Sequence, residues 1–227
     1  MRIKERRNQV LAKGDRTVDL TQGVIWKKLL LFFLPILAGS LFQQLYTTAD
    51  AVIVGQFAGK MGLAAIDSVY NLLKLPVNFF VGLSTGATII ISQYFGRKNR
   101  TDLSKAVHTA VAFAFAGGLS LSVVGIVFAA RFLHMLDIPD DIFRITLSYV
   151  RIYFSGLAAS MLYNIGAGIL RALGDSKTPF YYLSIASVLN ILLDLLFVGV
   201  FHWGVAGAAL ATVLVQMLSA VLIIRAL

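Results

Sequence analysis

The 227-residue chain contains no cysteine. Disulfides, thiolate metal sites and cysteine nucleophiles are therefore excluded. Charge is scarce as well: 14% of residues are Asp, Glu, Lys or Arg while 58% are hydrophobic, and the mean hydropathy is +0.81. Soluble domains are about 45–50% apolar and need a polar coat, so this composition excludes one. The three histidines are scattered, His108 and His134 near span ends and His202 in a loop, and form no metal cluster. A G-x-x-x-x-G-K-[ST] loop is absent, so the chain carries no ATP-driven motor. H-E-x-x-H is also absent, which argues against a membrane zinc protease. G-x-S-x-G occurs once, as GLSTG inside an apolar span and not at the strand-to-helix elbow of an esterase, and the chain reads as no enzyme. Neither a selectivity-filter loop nor a charged ring of a channel is present.

What is present is a series of long apolar runs. Runs of about 20 apolar residues are long enough to cross a bilayer. Six spans are expected, at about 29–57, 63–95, 105–128, 142–173, 179–201 and 206–227. Lipid cannot satisfy exposed backbone groups, so the spans are helices and the fold class is an all-α integral membrane bundle. Thr178-Pro179 has the pattern of an N-cap followed by proline at the first helical position, and Pro139-Asp140-Asp141 precedes the fourth span. Pro35 and Pro76 fall inside the first and second spans, where proline is expected to kink a helix, as static scaffolding or as a hinge. Residues 1–28 form a polar, basic arm with no short apolar core or small-residue cleavage site, unlike a signal peptide. No internal repeat, low-complexity linker or second soluble domain is evident.

The net charge of +9 is distributed by side rather than by patch. The arm MRIKERRNQVLAKGDR, Lys27 and Lys28, the Arg97–Lys105 loop, Arg171 with Lys177, and Arg225 all fall on alternate connectors. The opposite connectors are poor in cations: QFAGKMG has one lysine, FHWG none, and RFLHMLDIPDD is acidic. The positive-inside rule places both ends of the chain in the cytoplasm of a cell-membrane, multi-pass protein. Topogenic charge explains the basic arm better than nucleic acid or a lipid-specific patch does, so no nucleic-acid partner is expected.

Against that apolar background, the stretch SVLNILLDLLFVGVF stands out. Asp194 lies seven residues before the outer end of span five, and Asp50 lies seven before the outer end of span one. At 1.5 Å rise per residue both sit roughly 10 Å below the outer boundary of helices running the same way. Asn190 and Asp194 are spaced i, i+4 with Ser187 a turn earlier, and Gln43, Thr47 and Asp50 make a second polar stripe. Ionisable groups inside a bundle are expensive and face its interior or a wet cavity. Carboxylate, amide and hydroxyl oxygens suit a small hard cation; a desolvated carboxylate can alternatively hold a proton. The structural alternative is a static ion pair with Lys74 or Arg151, both in midspan. Asp67 is expected to be solvated and Asp175 to cap a helix. Small-residue spacings, Gly82 with Gly86 in GLSTG and the run GVAGAALAT, are expected at close helix contacts.

Five segments in order, LPILAGSLFQQLYTTADAVIVGQFAG, ISQYFGRKN, NIGAGILRALGDSKTPF, LNILLDLLFVGV and GVAGAALATVLVQ, resemble the amino-terminal half of multidrug and toxic compound extrusion (MATE) transporters. The resemblance runs from about Ile25 to the last residue. It implies a secondary antiporter that expels organic, often cationic and lipophilic, compounds in exchange for H+ or Na+. It further implies one six-helix lobe of a twelve-helix protein, carrying the cation site and half of the substrate cavity. Under the resemblance, Asp50 matches the first-helix aspartate, Asn190 and Asp194 the N-x-x-x-D of the fifth helix, and Thr212 a sixth-helix threonine. Tyr149 and Asn164 are fourth-helix candidates, Asn164 deeper toward the cytoplasm, and Pro35 matches a first-helix proline whose bending accompanies protonation. Na+ would be held by Asp50, Asp194 and Asn190, and no other cofactor is implied. The sequence departs from the family in length, being about half of a complete member, so a fragment of a longer transporter, or a half-size one that pairs with a second copy, is expected. The expected partners are therefore the lipid bilayer, organic cations or drugs, and a carboxy-terminal lobe, supplied covalently in a longer protein or by a second copy. A lipid-linked saccharide flippase of the same superfamily and a truncated, non-transporting membrane subunit are the alternative readings.

Overall fold

A computed structural model of the chain describes residues 25–227. The expected basic arm over residues 1–28 lies outside the described residues save for Ile25 to Lys28. Seven α-helices follow in order: α1 (Ile25–Phe57), α2 (Gly59–Gly96), α3 (Arg100–Met135), α4 (Asp140–Ser155), α5 (Leu157–Ala172), α6 (Lys177–Asp194) and α7 (Gly204–Ala226), with a π-helical segment, Leu195–Val200, extending α6. No strand occurs among the described residues. Five elements are each long and apolar enough to cross a membrane, and the bent pair α4–α5 supplies a sixth span. The chain is an all-α, multi-pass membrane protein.

The fourth span departs from its expected form. In place of one helix over 142–173, α4 and α5 meet at Gly156 with a bend of 44°. The break closes as a short turn, in which the Gly156 amide donates to the Tyr153 carbonyl at 3.1 Å. A Cβ at Gly156 would meet Val213 Cγ2 at 2.7 Å and Gln216 Oε1 at 3.0 Å, so α7 presses on the bend and only glycine fits there. The helices run unbroken through Pro35 and Pro76, so the sharp bend falls at a glycine contact, not at a proline.

Helix ends follow local chemistry. Asn99 caps α3, its Oδ1 accepting from the Asp102 amide at 3.3 Å, and α4 opens after Pro139 with Asp140 and Asp141 in its first turn. Between α5 and α6, Gly174 at φ +87° occupies the left-handed region that closes a helix with few steric penalties for glycine. The Asp175 amide reaches back to the Leu170 carbonyl and the Gly174 amide to that of Arg171. Asp175 then caps the next helix: its carboxylate accepts from the Thr178 amide (2.9 Å) and from Thr178 Oγ1 (2.6 Å). The expectation that Thr178 itself is the cap is corrected. Thr178 lies inside α6 and is the donor to the cap, because helix formation begins earlier, at Lys177.

Although α5 and α6 are joined by this tight turn, they touch little beyond it. α5 packs on α2, α3 and α7, α6 packs on α1 and α7, and α7 ties the two groups together. The core is built of side chains such as Val69, Phe80, Leu133, Val150, Phe154 and Met161. Gly118 and Gly125 admit the backbone of Ala158 and the ring of Phe154 into the α3 surface. Gly82 and Gly86 behave otherwise: a Cβ at either would meet nothing within 4 Å. The expected close contact at GLSTG is thus absent, because these glycines lie on the outer face of α2 while Ser84, between them, faces α5. Large apolar side chains including Leu31, Phe79, Val127 and Leu192 cover the outside, as a bilayer-facing surface requires.

Candidate functional site

The splaying of α6 from α5 leaves a cavity of about 690 Å³. Cavities of about 300–1,000 Å³ hold drug-sized ligands. Of the residues singled out from sequence, Asp50, Tyr149, Asn164, Asn190, Thr212 and Pro35 all line it. Asp194 does not. It is fully buried, at 0% exposure, one turn beyond Asn190 on α6 and behind the cavity wall.

The two aspartates therefore differ. Asp50 is part-exposed on the α1 wall, one end of a stripe in which Gln43, Tyr46 and Thr47 also face the cavity. Asp194 is sealed, yet close enough to Asp50 for the two carboxylates to repel each other, and Tyr46 and Tyr149 lie within electrostatic reach of both. Asp50 Oδ1, Asn190 Oδ1 and both carboxylate oxygens of Asp194 are buried without a hydrogen-bond partner. Leaving a carboxylate uncompensated in a low-dielectric interior costs several kcal/mol. Buried carboxylate and amide oxygens without a hydrogen-bond partner are the group types that a small cation or a proton satisfies.

The static ion-pair alternative is not realised. Neither Lys74 nor Arg151 forms an ion pair with either aspartate: Lys74 Nζ stands over the Tyr70 ring, 4.5 Å from its centroid, and Arg151 is exposed away from the cavity. Asp67 is exposed and Asp175 caps a helix, both as expected.

Immediately after Asp194 the helix widens. The Phe201 amide donates to the Leu196 carbonyl, five residues back, at 2.9 Å, and Phe197 packs on Phe201 and Trp203 with centroids 6.1 and 5.2 Å apart. Such π-helical turns recur beside functional residues. Nothing in the apolar run LLFVGV signals one in advance.

Lys74 and Arg171, noted in the sequence only as a span cation and a connector cation, also line the wall, together with residues not singled out from sequence: Tyr46, Asn78, Tyr153 and Gln216. These four follow the helical spacing of residues already in view. Tyr46 is four before Asp50, Asn78 four after Lys74, Tyr153 four after Tyr149 and Gln216 four after Thr212. Extending each polar stripe by one turn would have found them.

Comparison with known proteins agrees with this geometry. The MatE family model matches residues 35–196. The probable multidrug resistance protein YoeA of Bacillus subtilis is 34% identical over 194 residues, covering 84% of this chain and 42% of that protein. YpnP, a second probable multidrug resistance protein of Bacillus subtilis, is 32% identical over 201 residues, covering 88% and 45%. A solved structure of a MOP superfamily transporter from Pyrococcus furiosus superposes with a TM-score of 0.82 at 24% identity, covering 87% of this chain and 44% of that one. The chain thus spans less than half the length of the relatives it matches, as one of two lobes would. With the family model covering most of its spans and the fold agreeing, the chain belongs to the MATE family of membrane transporters.

Proposed function

We propose that this chain is the cation-coupling lobe of a secondary antiporter that expels organic compounds, often cationic and lipophilic, against inward H+ or Na+. The reading rests above all on Asp194, which is fully buried with both carboxylate oxygens unpartnered beside an Asp50 that opens onto the cavity. In this scheme Asp50 receives the ion from the cavity and Asp194 shares it. Asn190 supplies an amide oxygen, while Thr212 and Tyr149 border the site. Both chain ends lie in the cytoplasm and the aspartates in the outer half of the bilayer, so the ion enters from outside. The cavity supplies one wall of the substrate site, and a carboxy-terminal lobe, covalent or from a second copy, supplies the other.

Coupling follows if ion and substrate prefer different arrangements of α1, α6 and α7, with Pro35 as the flexing point of α1. Such coupling is reciprocal: each ligand lowers occupancy by the other. Tight exchange needs a preference of about 5 kcal/mol between states. The test is ethidium transport by the full-length protein in liposomes, driven in turn by an imposed proton and sodium gradient. Asp50→Asn and Asp194→Asn are each expected to abolish gradient-driven transport while the protein remains folded. Undiminished transport by either variant would remove the proposal's basis.

The flippase reading has one point in its favour, the cations Lys74 and Arg171 on the cavity wall. Translocation of a fluorescent lipid-linked pyrophosphate saccharide in the same liposomes, without ethidium transport, would select it.

A further inference from the structure

The end of the cavity away from the aspartates carries a different chemistry. Arg171, in the last turn of α5, lines the main cavity and also an adjoining one of about 240 Å³ whose walls are otherwise Val81, Ser84, Thr85, Thr88, Ile89 and Asn164. Beside this second cavity Gly168, one turn before Arg171, lets α2 approach closely: a Cβ there would stand 2.6 Å from Ser84 Oγ and 2.8 Å from Thr88 Oγ1. Counted along helix α6, Asp194 lies 17 residues from Lys177, which follows the α5–α6 turn next to Arg171, roughly 25 Å away along the axis.

The guanidinium has no acidic partner among the described residues. Asp175, four residues on and at the right spacing to pair, uses both oxygens on Thr178. A part-buried cation at the end of a membrane-embedded cavity, with no counter-ion, is costly unless something supplies one. The neighbouring hydroxyls have their hydrogens committed: Ser84 donates to the Asn164 carbonyl, Thr85 to that of Val81 and Thr88 to that of Ser84. Asn164 Nδ2 donates to the Ser160 carbonyl and keeps a second N–H. The donors left for a ligand are thus the planar guanidinium fork and one amide N–H, a set that matches an oxyanion with two oxygens in a plane. The ionisable residues on the main cavity wall are Asp50, Lys74, Arg171 and tyrosines, so the wall itself carries more cation than carboxylate.

We propose that Arg171, with Asn164, forms an anion subsite that takes the carboxylate or phosphate of an amphoteric organic substrate. The subsite lies at the opposite end of the cavity from the coupling aspartates. It deepens the efflux reading by naming a substrate class, and it rests on the cavity being the substrate site. A substrate with a cationic, lipophilic body would then be anchored at this end through its carboxylate, which would improve its retention.

Rhodamine B and its ethyl ester test this directly, since they share one cationic ring system and differ in a single carboxylate. Binding is measured by fluorescence anisotropy on the full-length protein in phosphatidylcholine nanodiscs. Rhodamine B is expected to bind the native protein about tenfold more tightly than the ester, the scale of one charge-assisted pair. Arg171→Gln should erase that difference by weakening the acid alone, and Arg171→Lys should restore part of it. On the native protein, which needs no variant to fold, sodium benzoate should displace rhodamine B and spare the ester. Equal binding of acid and ester, or equal loss of both in Arg171→Gln, would overturn the subsite while leaving the substrate cavity intact. Binding of neither dye would overturn the substrate cavity and the subsite with it. If the acid–ester difference disappears in phosphatidylglycerol nanodiscs, a lipid phosphate occupies Arg171 and the substrate subsite is wrong.

Discussion

Asp194 shows how one position acquires a role from its surroundings. Its neighbours Leu193 and Leu195 would serve a helix equally well, but a carboxylate at 0% exposure with no donor is destabilising unless a cation or proton accompanies it. Structural roles at the same scale look different. Asp175 is acidic too, yet both its oxygens accept from Thr178 and nothing remains for a ligand. Asp175→Ala should cost about 1 kcal/mol through the lost cap, read as a lower thermal midpoint in detergent with dye binding retained. A variant of unchanged stability would show that the Gly174 turn alone closes the α5–α6 connection.

At the scale of elements, two irregularities interrupt the helices that carry cavity-lining residues. The 44° bend at Gly156 turns α4 relative to α5, and the π-helical segment lengthens α6 just beyond Asp194. Valine at Gly156 would drive its side chain into Val213 and Gln216 of α7, and overpacking of this kind costs about 1–3 kcal/mol. Gly156→Val is therefore expected to lower the thermal midpoint by several degrees, whereas Gly82→Ala, with nothing within 4 Å of the new methyl, should leave it unchanged. A Gly156→Val protein as stable as its parent would mean that the bend does not need the close approach of α7.

At the scale of the whole molecule, six spans and alternating connector charge predict one orientation. The absence of cysteine from these 227 residues makes the prediction simple to check, because an introduced thiol is unique among them. Met135 and Arg97 lie at the ends of α3 and α2, on connectors of opposite charge character, and both are exposed. On intact cells a membrane-impermeant maleimide should label Met135→Cys, and should label Arg97→Cys only after permeabilisation. The reverse pattern would invert the topology and put the aspartates in the inner half of the bilayer.

Much of this architecture is legible in one dimension because lipid is an undemanding solvent to predict. A span must be apolar along its length, and any polar residue within it stands out. Asp50 and Asn190 could be picked from that contrast, Thr212 and Tyr149 only from the family resemblance, and all four reach the cavity. The contrast fails where the deciding partner is remote in sequence. Gly156 bends because Val213 and Gln216 press on it, Gly82 stays open because its helix turns Ser84 inward instead, and Arg171 is free because Asp175 is spent on Thr178. Sequence alone thus determined the solvent, the number of spans and which polar groups are costly. Only the tertiary structure decided which of those groups meet, because side chains separated by a hundred residues become neighbours through packing, and helical periodicity carries no record of the partner.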